Sequence, residues 1–240
     1  NKNYMSLKKI VAIIPARSGS KSIKHKNLIT IDGKTLINIA VTKAINSKLF
    51  SKVLVSTDSV IYAKEAIKYG AEVLELRPKK LSDDKTTLAL VLKDILKKLN
   101  DKGEKFENII SIQPTSPFIK IDTLKKSVKT FFQRKATGVA TISEVLDSHP
   151  LTAQKLDING KLSYLIKPKN FKKLFPRQNR PVSYKYTGGI YLRKSENILN
   201  YSGDGWALGN KSYGVVVSKK EAVDINYEED LYKFKYFKNK

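Results

Sequence analysis

Apolar positions along the chain fall into two alternating patterns. Lys8 to Pro15 reads KKIVAIIP, a nearly continuous apolar run that ends in proline. Such a run fits a strand buried on both faces. Lys52 to Thr57 (KVLVST) and Asn108 to Gln113 (NIISIQ) read the same way. Between these runs the period lengthens. Thr35 to Ser47 places Leu36, Ile39, Ala40 and Ala44 on one stripe. Thr86 to Leu99 places Leu88, Leu92, Ile95, Leu96 and Leu99 at helical spacing. A further helix is expected over Asp122 to Arg134, with Asp122 as its N-cap. Strands alternating with helices predict an α/β fold: a mostly parallel sheet with helices on both faces.

After about Val139 the pattern changes. Val139 to Val145 alternates like a strand. Asp147-Ser148-His149-Pro150 follows, then a polar stretch with an Asn159-Gly160 turn signal. Lys161 to Ile166 reads as the returning strand of a hairpin. Lys167 to Pro181 is rich in proline and cations and reads as an excursion. Tyr186 to Leu192 and Tyr213 to Val217 read as strands, and Glu228 to Phe237 as a closing helix. The expected organisation is one domain over residues 5–240, with an inserted β-hairpin lobe at about 146–185.

Composition excludes several classes. With 41% hydrophobic and 28% charged residues in 240, the chain has enough apolar side chain for a sizeable core. No apolar run approaches the ~18 residues of a membrane span, so no membrane insertion is expected. No signal-peptide pattern is visible at the N-terminus, and a cytoplasmic location is expected. The absence of cysteine excludes disulfides, thiolate metal sites and a cysteine nucleophile. Two histidines are too few for a histidine metal cluster. The net charge of +24 raises nucleic-acid binding. Yet the cations are six arginines against forty lysines, scattered over the whole chain. Base readers and phosphate clamps favour arginine, so no specific nucleic-acid partner is expected. The same field would favour a phosphorylated or carboxylated small substrate.

The first chemical signal follows the first strand: Pro15-Ala16-Arg17-Ser18-Gly19-Ser20-Lys21, then Lys24, Lys26 and Asn27. In an open α/β sheet, ligands bind beyond the carboxyl ends of the strands. A Gly/Ser loop there offers backbone N–H groups and hydroxyls, and Arg17 and Lys21 add charge that suits a polyphosphate. It matches neither the P-loop nor the dinucleotide fingerprint. On composition alone it reads equally well as a plain strand–turn segment with solvated cations.

Ile14 to Leu28, IPARSGSKSIKHKNL, resembles the opening signature of the acylneuraminate cytidylyltransferases, the CMP-sialic acid synthetases. Further signatures follow in family order. Val55-Ser56-Thr57-Asp58 resembles the second strand end. Arg77-Pro78 with Leu81, Asp84 and Thr86 resembles an R-P-x-x-L-x-x-D-x-[TS] segment, and Gln113 to Pro117 resembles a QPTSP turn. His149-Pro150 matches a short H-P element. Arg177-Gln178 with Tyr184 and Gly188 to Tyr191 resembles the R-Q and Y-x-x-N-G-A-I-Y block. Val223 to Asn226 with Glu229-Asp230-Leu231 resembles the closing D-I-D segment.

The resemblance implies a Rossmann-like nucleotidyltransferase fold and a reaction. A 2-keto-3-deoxy sugar acid of sialic, legionaminic or pseudaminic type would attack the α-phosphate of CTP, giving a CMP-sugar and pyrophosphate. It implies Arg17, Lys21 and Asp224 as catalytic residues. Ala16, Arg17, Ser20, Lys21, Asn27, Arg77, Ser82 and Thr86 would bind the nucleotide. Gln113, Thr115, Ser116, Arg177, Gln178, Tyr184, Thr187 and Gly188 would bind the sugar. Asp224, with Asn226 as a weak second ligand, would hold Mg²⁺ or Mn²⁺. The family also implies a homodimer that exchanges the 146–185 lobe.

This chain departs from the family at several positions. Asn226 stands where a second aspartate is usual, Thr187 replaces an asparagine, Ser22 replaces a glycine, and Thr152 stands near where a lysine often follows the H-P element. Two other readings stay open at this level: a 3-deoxy-octulosonate cytidylyltransferase, and a non-catalytic nucleotide-sugar-binding relative. No Asp-x-Asp triplet, the mark of many metal-dependent glycosyltransferases, occurs in the chain.

Overall fold

The computed structural model describes residues 10–145, 148–203 and 205–239. Lys8 and Lys9 of the first apolar run, and Asp147 in the connection before His149, lie outside them. Strand β1 (Ile10–Pro15) is central, as its unbroken apolar run requires. It pairs in parallel with β4 (Lys52–Ser56) on one side and with β5 (Asn108–Ile112) on the other. Beyond β5 comes β9 (Tyr184–Lys194), antiparallel to both β5 and β6 (Gly138–Glu144). Strand β10 (Ser212–Val216) closes that side in parallel with β6. The sheet order is therefore β10-β6-β9-β5-β1-β4. It is mostly parallel with one reversed strand, as the alternation of patterns predicts.

Two helical layers cover the sheet. Alternate residues of β1 point to opposite faces. Ile10, Ala12 and Ile14 meet Ile37, Val41 and Ala44 of α1 (Leu36–Ser47), Tyr62 and Ala66 of α2 (Val60–Lys68), and Leu124, Val128 and Phe131 of α4 (Ile121–Gln133). Val11 and Ile13 meet Ala89, Leu92, Ile95, Leu96 and Leu99 of α3 (Leu88–Asp101). Each fully buried leucine on that face contributes roughly 1.5–3 kcal/mol. The stripe read for α3 is buried from Leu92 to Leu99, with Leu88 only partly so. On α1 Leu36, Ala40 and Ala44 are buried, but Ile39 is only partly buried, and Ile37 and Val41, outside the predicted stripe, complete the buried face. Helix α4 differs in one detail. Its N-cap is Lys120, and Asp122 lies in the first turn, where its charge still complements the helix N-terminus.

Smaller elements complete the fold. A two-residue hairpin joins β2 (Thr30–Ile31) to β3 (Lys34–Thr35). The predicted lobe hairpin is present as β7 (Gln154–Leu156) and β8 (Leu162–Tyr164), paired outside the main sheet. The excursion after it carries the short helix α5 (Phe171–Leu174). Helix α6 (Ser195–Leu199) follows β9. The closing helix α7 (Glu228–Lys238) packs Phe234 with Leu36, Val223 and Ile225. Among the described residues no helix is long and apolar enough to cross a membrane.

Strand β6 starts under the 205–209 loop, so closely that a Cβ on Gly138 would lie 2.7 Å from Leu208 Cα. Gly138→Ala is expected to lower stability by about 1–3 kcal/mol, since close-packed interiors resist added volume. The midpoint of urea unfolding should fall accordingly; an unchanged midpoint would mean that the loop yields freely.

Candidate active site

The register of β1 and β4 puts Pro15 opposite Ser56 at the carboxyl end of the sheet. Ala16, buried, extends the pairing by donating its N–H to Ser56 O at 2.8 Å. The chain then turns into the Gly/Ser loop, and side chains hold that turn. Ser18 donates its backbone N–H and its hydroxyl to the two carboxylate oxygens of Asp58, at 2.7 and 3.0 Å. Asn27, buried at the far end of the loop, donates Nδ2 to Arg17 O at 3.1 Å. The loop is therefore pinned at both ends.

Three of the loop's cations, Arg17, Lys21 and Lys26, differ in environment. Arg17 and Lys21 share one counter-ion. Arg17 Nη2 lies 2.5 Å from Asp84 Oδ1, and Lys21 Nζ lies 2.6 Å from Asp84 Oδ2. Lys21 and then Arg17 hold the Asp84 carboxyl below the ordinary aspartate range. Arg17 also donates to Ser82 O at 3.4 Å. Lys26 is more buried, and that burial pushes its ammonium below the ordinary lysine value, with Asp224 acting in the opposite direction. It donates to the neutral Asn226 Oδ1 at 3.2 Å.

Arg77 forms the wall beneath. Its Nε donates to Ser56 Oγ at 3.1 Å and its Nη2 to Ser56 O at 2.7 Å. Burial lowers its guanidinium to about 10, opposed by Asp58. The adjoining loop is held by Asp83, whose Oδ1 accepts from the backbone N–H groups of Lys85 and Thr86 at 3.1 and 2.7 Å. Ser82 and Thr86 donate their hydroxyls to Pro78 O and Lys80 O. These segments enclose a cleft of about 300 Å³, lined by Arg17, Ser20, Lys26, Asn27, Arg77, Asp84, Thr86, Gln113, Thr115 and Asn226 among others.

The acidic corner comes from the far end of the chain. Ile225 donates its N–H to Thr115 O at 2.9 Å, which docks the 223–226 segment onto the turn after β5. Asp224 Oδ2 accepts from Asn226 Nδ2 at 2.7 Å, while Asp224 Oδ1 is buried without a hydrogen-bond partner among the described residues. Gly188 makes the close approach possible. It has φ +82°, and a Cβ there would lie 3.0 Å from Asp224 Oδ2. Asp224, Asn226, Tyr184 and Thr187 also line a neighbouring cavity of about 1140 Å³, so Asn226 borders both spaces.

The structure thus gathers most of the residues singled out in the sequence. Gln113 sits at the cleft with its N–H bonded to Gly189 O at 3.0 Å. Ser116 is buried behind the turn. The Thr187 hydroxyl is turned inward, bonded to Thr141 Oγ1 at 2.7 Å. Arg177 and Gln178 are exposed, and neither lines the cleft. Arg177 borders a separate pocket of about 360 Å³ with His149, Arg180 and Ser183. Lys26, Asp58, Asp83 and Asp84 belong to the site although they were not among its expected ligands. The sequence signal for three of them was their place in the ordered motifs.

A cation-lined cleft at the carboxyl ends of a mostly parallel sheet, beside an acidic corner, defines a nucleotidyltransferase. Solved structures agree on the fold. CMP:2-keto-3-deoxy-manno-octonic acid synthetase complexed with CTP superposes with a TM-score of 0.68 at 16% identity, over 95% of this chain and 98% of the other. A 4-diphosphocytidyl-2C-methyl-D-erythritol synthase of Anaerococcus prevotii gives 0.66 at 16% identity, over 98% of this chain and all of the other. The chain belongs to the cytidylyltransferase family, which matches residues 11–203. Among relatives it is 33% identical over 192 residues to a CMP-N,N'-diacetyllegionaminic acid synthase of Legionella pneumophila, 80% of each chain. It is 30% identical over 224 residues to a pseudaminic acid cytidylyltransferase of Campylobacter jejuni, 93% of each. It is 31% identical over 226 residues to an N-acylneuraminate cytidylyltransferase of Escherichia coli, spanning half of that protein.

Gly188→Ala is expected to cost about 1–2 kcal/mol from the left-handed backbone alone. The added methyl would also push Asp224 from its seat. A lower unfolding midpoint, with a displaced Asp224 in a crystal structure of the variant, is the expected result.

Proposed function

We propose that this chain joins CTP to a sialic-acid-like 2-keto-3-deoxy sugar acid of the legionaminic, pseudaminic or N-acylneuraminic type, releasing pyrophosphate. The observation that carries the reading is the junction at Asn226. There a narrow cation-lined cleft suited to a nucleoside triphosphate opens beside a wider cavity suited to a sugar acid. The three relatives, each named for one of these sugar acids, support it. On this reading the reaction runs in the cytoplasm, where nucleoside triphosphates are available.

Asp84 pairs with Arg17 and Lys21 together. A triphosphate offers the same two cations more negative charge than one carboxylate, and it takes that carboxylate's place. Arg17, Ser20 and Lys21 then hold the triphosphate, and Asn27, Arg77, Ser82 and Thr86 line the nucleoside. The C2 hydroxyl oxygen of the sugar acid attacks the α-phosphorus and loses its proton. The bond to the pyrophosphate oxygen breaks as the new one forms, and positive charge in the cleft stabilises the developing oxyanions.

The acidic corner fits a divalent metal through one carboxylate. Asp224 Oδ1 is a buried, unpartnered anionic oxygen, the donor that Mg²⁺ prefers. The Asn226 oxygen is already bonded to Lys26, and one Asp230 oxygen accepts the N–H groups of Asn226 and Tyr227. Among the described residues no cluster of three or more acidic or histidine ligands exists. Asp224 would therefore hold Mg²⁺ or Mn²⁺ together with substrate phosphates. When bound, the ion supplies charge neutralisation on those phosphates.

The sugar side calls for a second copy of the chain. Arg177 lies outside both the cleft and the wider cavity, and the lobe exposes Leu156, Ile158, Leu162 and Val182. A homodimer that exchanges lobes would cover those side chains. It would also bring Arg177 and Gln178 to the partner's sugar carboxylate.

The direct test is pyrophosphate release with CTP and Mg²⁺ against legionaminate, pseudaminate, N-acetylneuraminate and 3-deoxy-octulosonate. Turnover with one of the first three is expected. Turnover with 3-deoxy-octulosonate alone would move the chain to the octulosonate class, and CTP binding without turnover on any of them would favour the non-catalytic reading. Asp224→Ala should abolish the Mg²⁺ dependence. Asn226→Asp, which supplies a second carboxylate, should lower the Mg²⁺ concentration for half-saturation; a rise would mean that the Lys26 contact matters more than the added ligand.

A further inference from the structure

Away from the cleft, a partly buried lysine beside a buried carboxylate has no place in the mechanism. Lys43 extends from α1 and donates its ammonium to Pro117 O, at the end of the Gln113–Pro117 turn. Burial lowers it to about 8, and the carboxylate of Glu221 acts in the opposite direction. Glu221 is itself only 7% exposed. Its Oε1 accepts from the backbone N–H of Lys120 at 3.2 Å and from the Thr123 hydroxyl. Its Oε2 accepts from Ser218 Oγ at 3.2 Å.

Lys43 ties α1 to the end of the turn after β5, and Glu221 ties its own segment to the start of α4, which follows that turn by three residues. Three segments are thus involved on the site side. One is the turn after β5, which presents Gln113 and Thr115 to the cleft. The second is the start of α4. The third is the 218–226 segment, which presents Asp224. The last backbone tie between the first and third is the Ile225 N–H to Thr115 O bond, four residues beyond Glu221. Desolvating a cation and a carboxylate is unfavourable unless their polar contacts are met. Here Lys43 is met by Pro117 O, Glu221 by Lys120, Thr123 and Ser218, and the two attract each other by charge across the gap between them.

We propose that Lys43 and Glu221 are positioning residues: they clamp the turn carrying Gln113 and Thr115 to the segment carrying Asp224, and so set the distance between the two sides of the active site. Neither touches the cleft. The catalytic part of this inference rests on the function proposed above; the clamp itself does not.

The test compares Lys43→Met, which keeps the length and apolar stem, with Lys43→Arg, which keeps the charge. Amide hydrogen exchange reads the clamp directly. In Lys43→Met the Ile225 amide should lose roughly tenfold protection while the β1 amides of Val11 to Ile14 keep theirs, because local opening is decoupled from global unfolding. Lys43→Arg should retain Ile225 protection. With CTP and the active sugar acid, Lys43→Met should lower kcat by roughly ten- to a hundredfold, as expected of a small misplacement transmitted from outside the site. The KM for CTP should stay unchanged, and Lys43→Arg should recover the rate. Ile225 protection that survives in Lys43→Met, or that falls only together with β1, overturns the clamp. Loss of Ile225 protection with kcat unchanged overturns the positioning role. A wild-type protein silent towards every sugar acid would refute the proposed function, and the exchange result would still decide the clamp.

Discussion

The parallel pairing of β1 between β4 and β5 is the constraint on which the rest depends. It fixes Pro15, Ser56 and Gln113 near one level at the carboxyl edge of the sheet. Each strand end then hands the chain to a loop that must turn away from the sheet. Backbone groups freed at those turns find partners supplied by neighbouring loops. Ser18 bonds to Asp58, Arg77 N–H to Thr57 O, and Gln113 N–H to Gly189 O. The cleft is what remains between loops so tied, and its floor is the end of the sheet itself. Its geometry therefore inherits the rigidity of a strand buried on both faces.

Charge in the cleft is arranged by pairing. The net +24 is mostly solvated lysine and says little about the site. What matters is which cations keep a carboxylate partner. Arg17 and Lys21 do, through Asp84 at the exposed rim, where solvent screens the interaction and exchange for another anion is cheap. Arg77 does not, and its two bonds to Ser56 make it a fixed part of the wall. Lys26 has a neutral amide as its direct side-chain partner among the described residues, yet it stands where the cation loop meets the acidic corner. The exchangeable charges thus lie outermost and the fixed ones innermost, an order that suits an anion entering from solvent.

The main sheet and three of its helices were legible in the sequence because burial is strongly periodic there. Helix α2 was not. Val60, Ile61 and Ile67 are exposed on it, and only Tyr62, Ala63 and Ala66 face the core, so its apolar residues form no stripe. The hairpin of β2 and β3 is too short to carry a period. The Asp122 cap failed by two residues, within the usual slack of helix ends. At the site, loop residues contiguous in sequence were legible as motifs. Contacts made across the fold were not. The inward turn of Thr187 onto Thr141 depends on the irregular β6–β9 pairing between Ala140 and Ile142, which no local pattern announces. The remoteness of Arg177 from the cleft is likewise a property of tertiary structure.

Asn226 shows how one substitution redistributes such contacts. An aspartate at that position would present two anionic oxygens to the corner beside Asp224. The asparagine instead donates to Asp224 and accepts from Lys26, which makes a relay of ammonium, amide and carboxylate. The relay occupies one Asp224 oxygen and leaves the other as the anionic donor. It also holds Lys26 towards the acidic corner without neutralising it, since an amide carries no charge. Positive charge at this corner is thereby supplied by the chain itself. The departure from the family pattern is in this sense locally self-consistent: the neutral amide comes with a cation already in place.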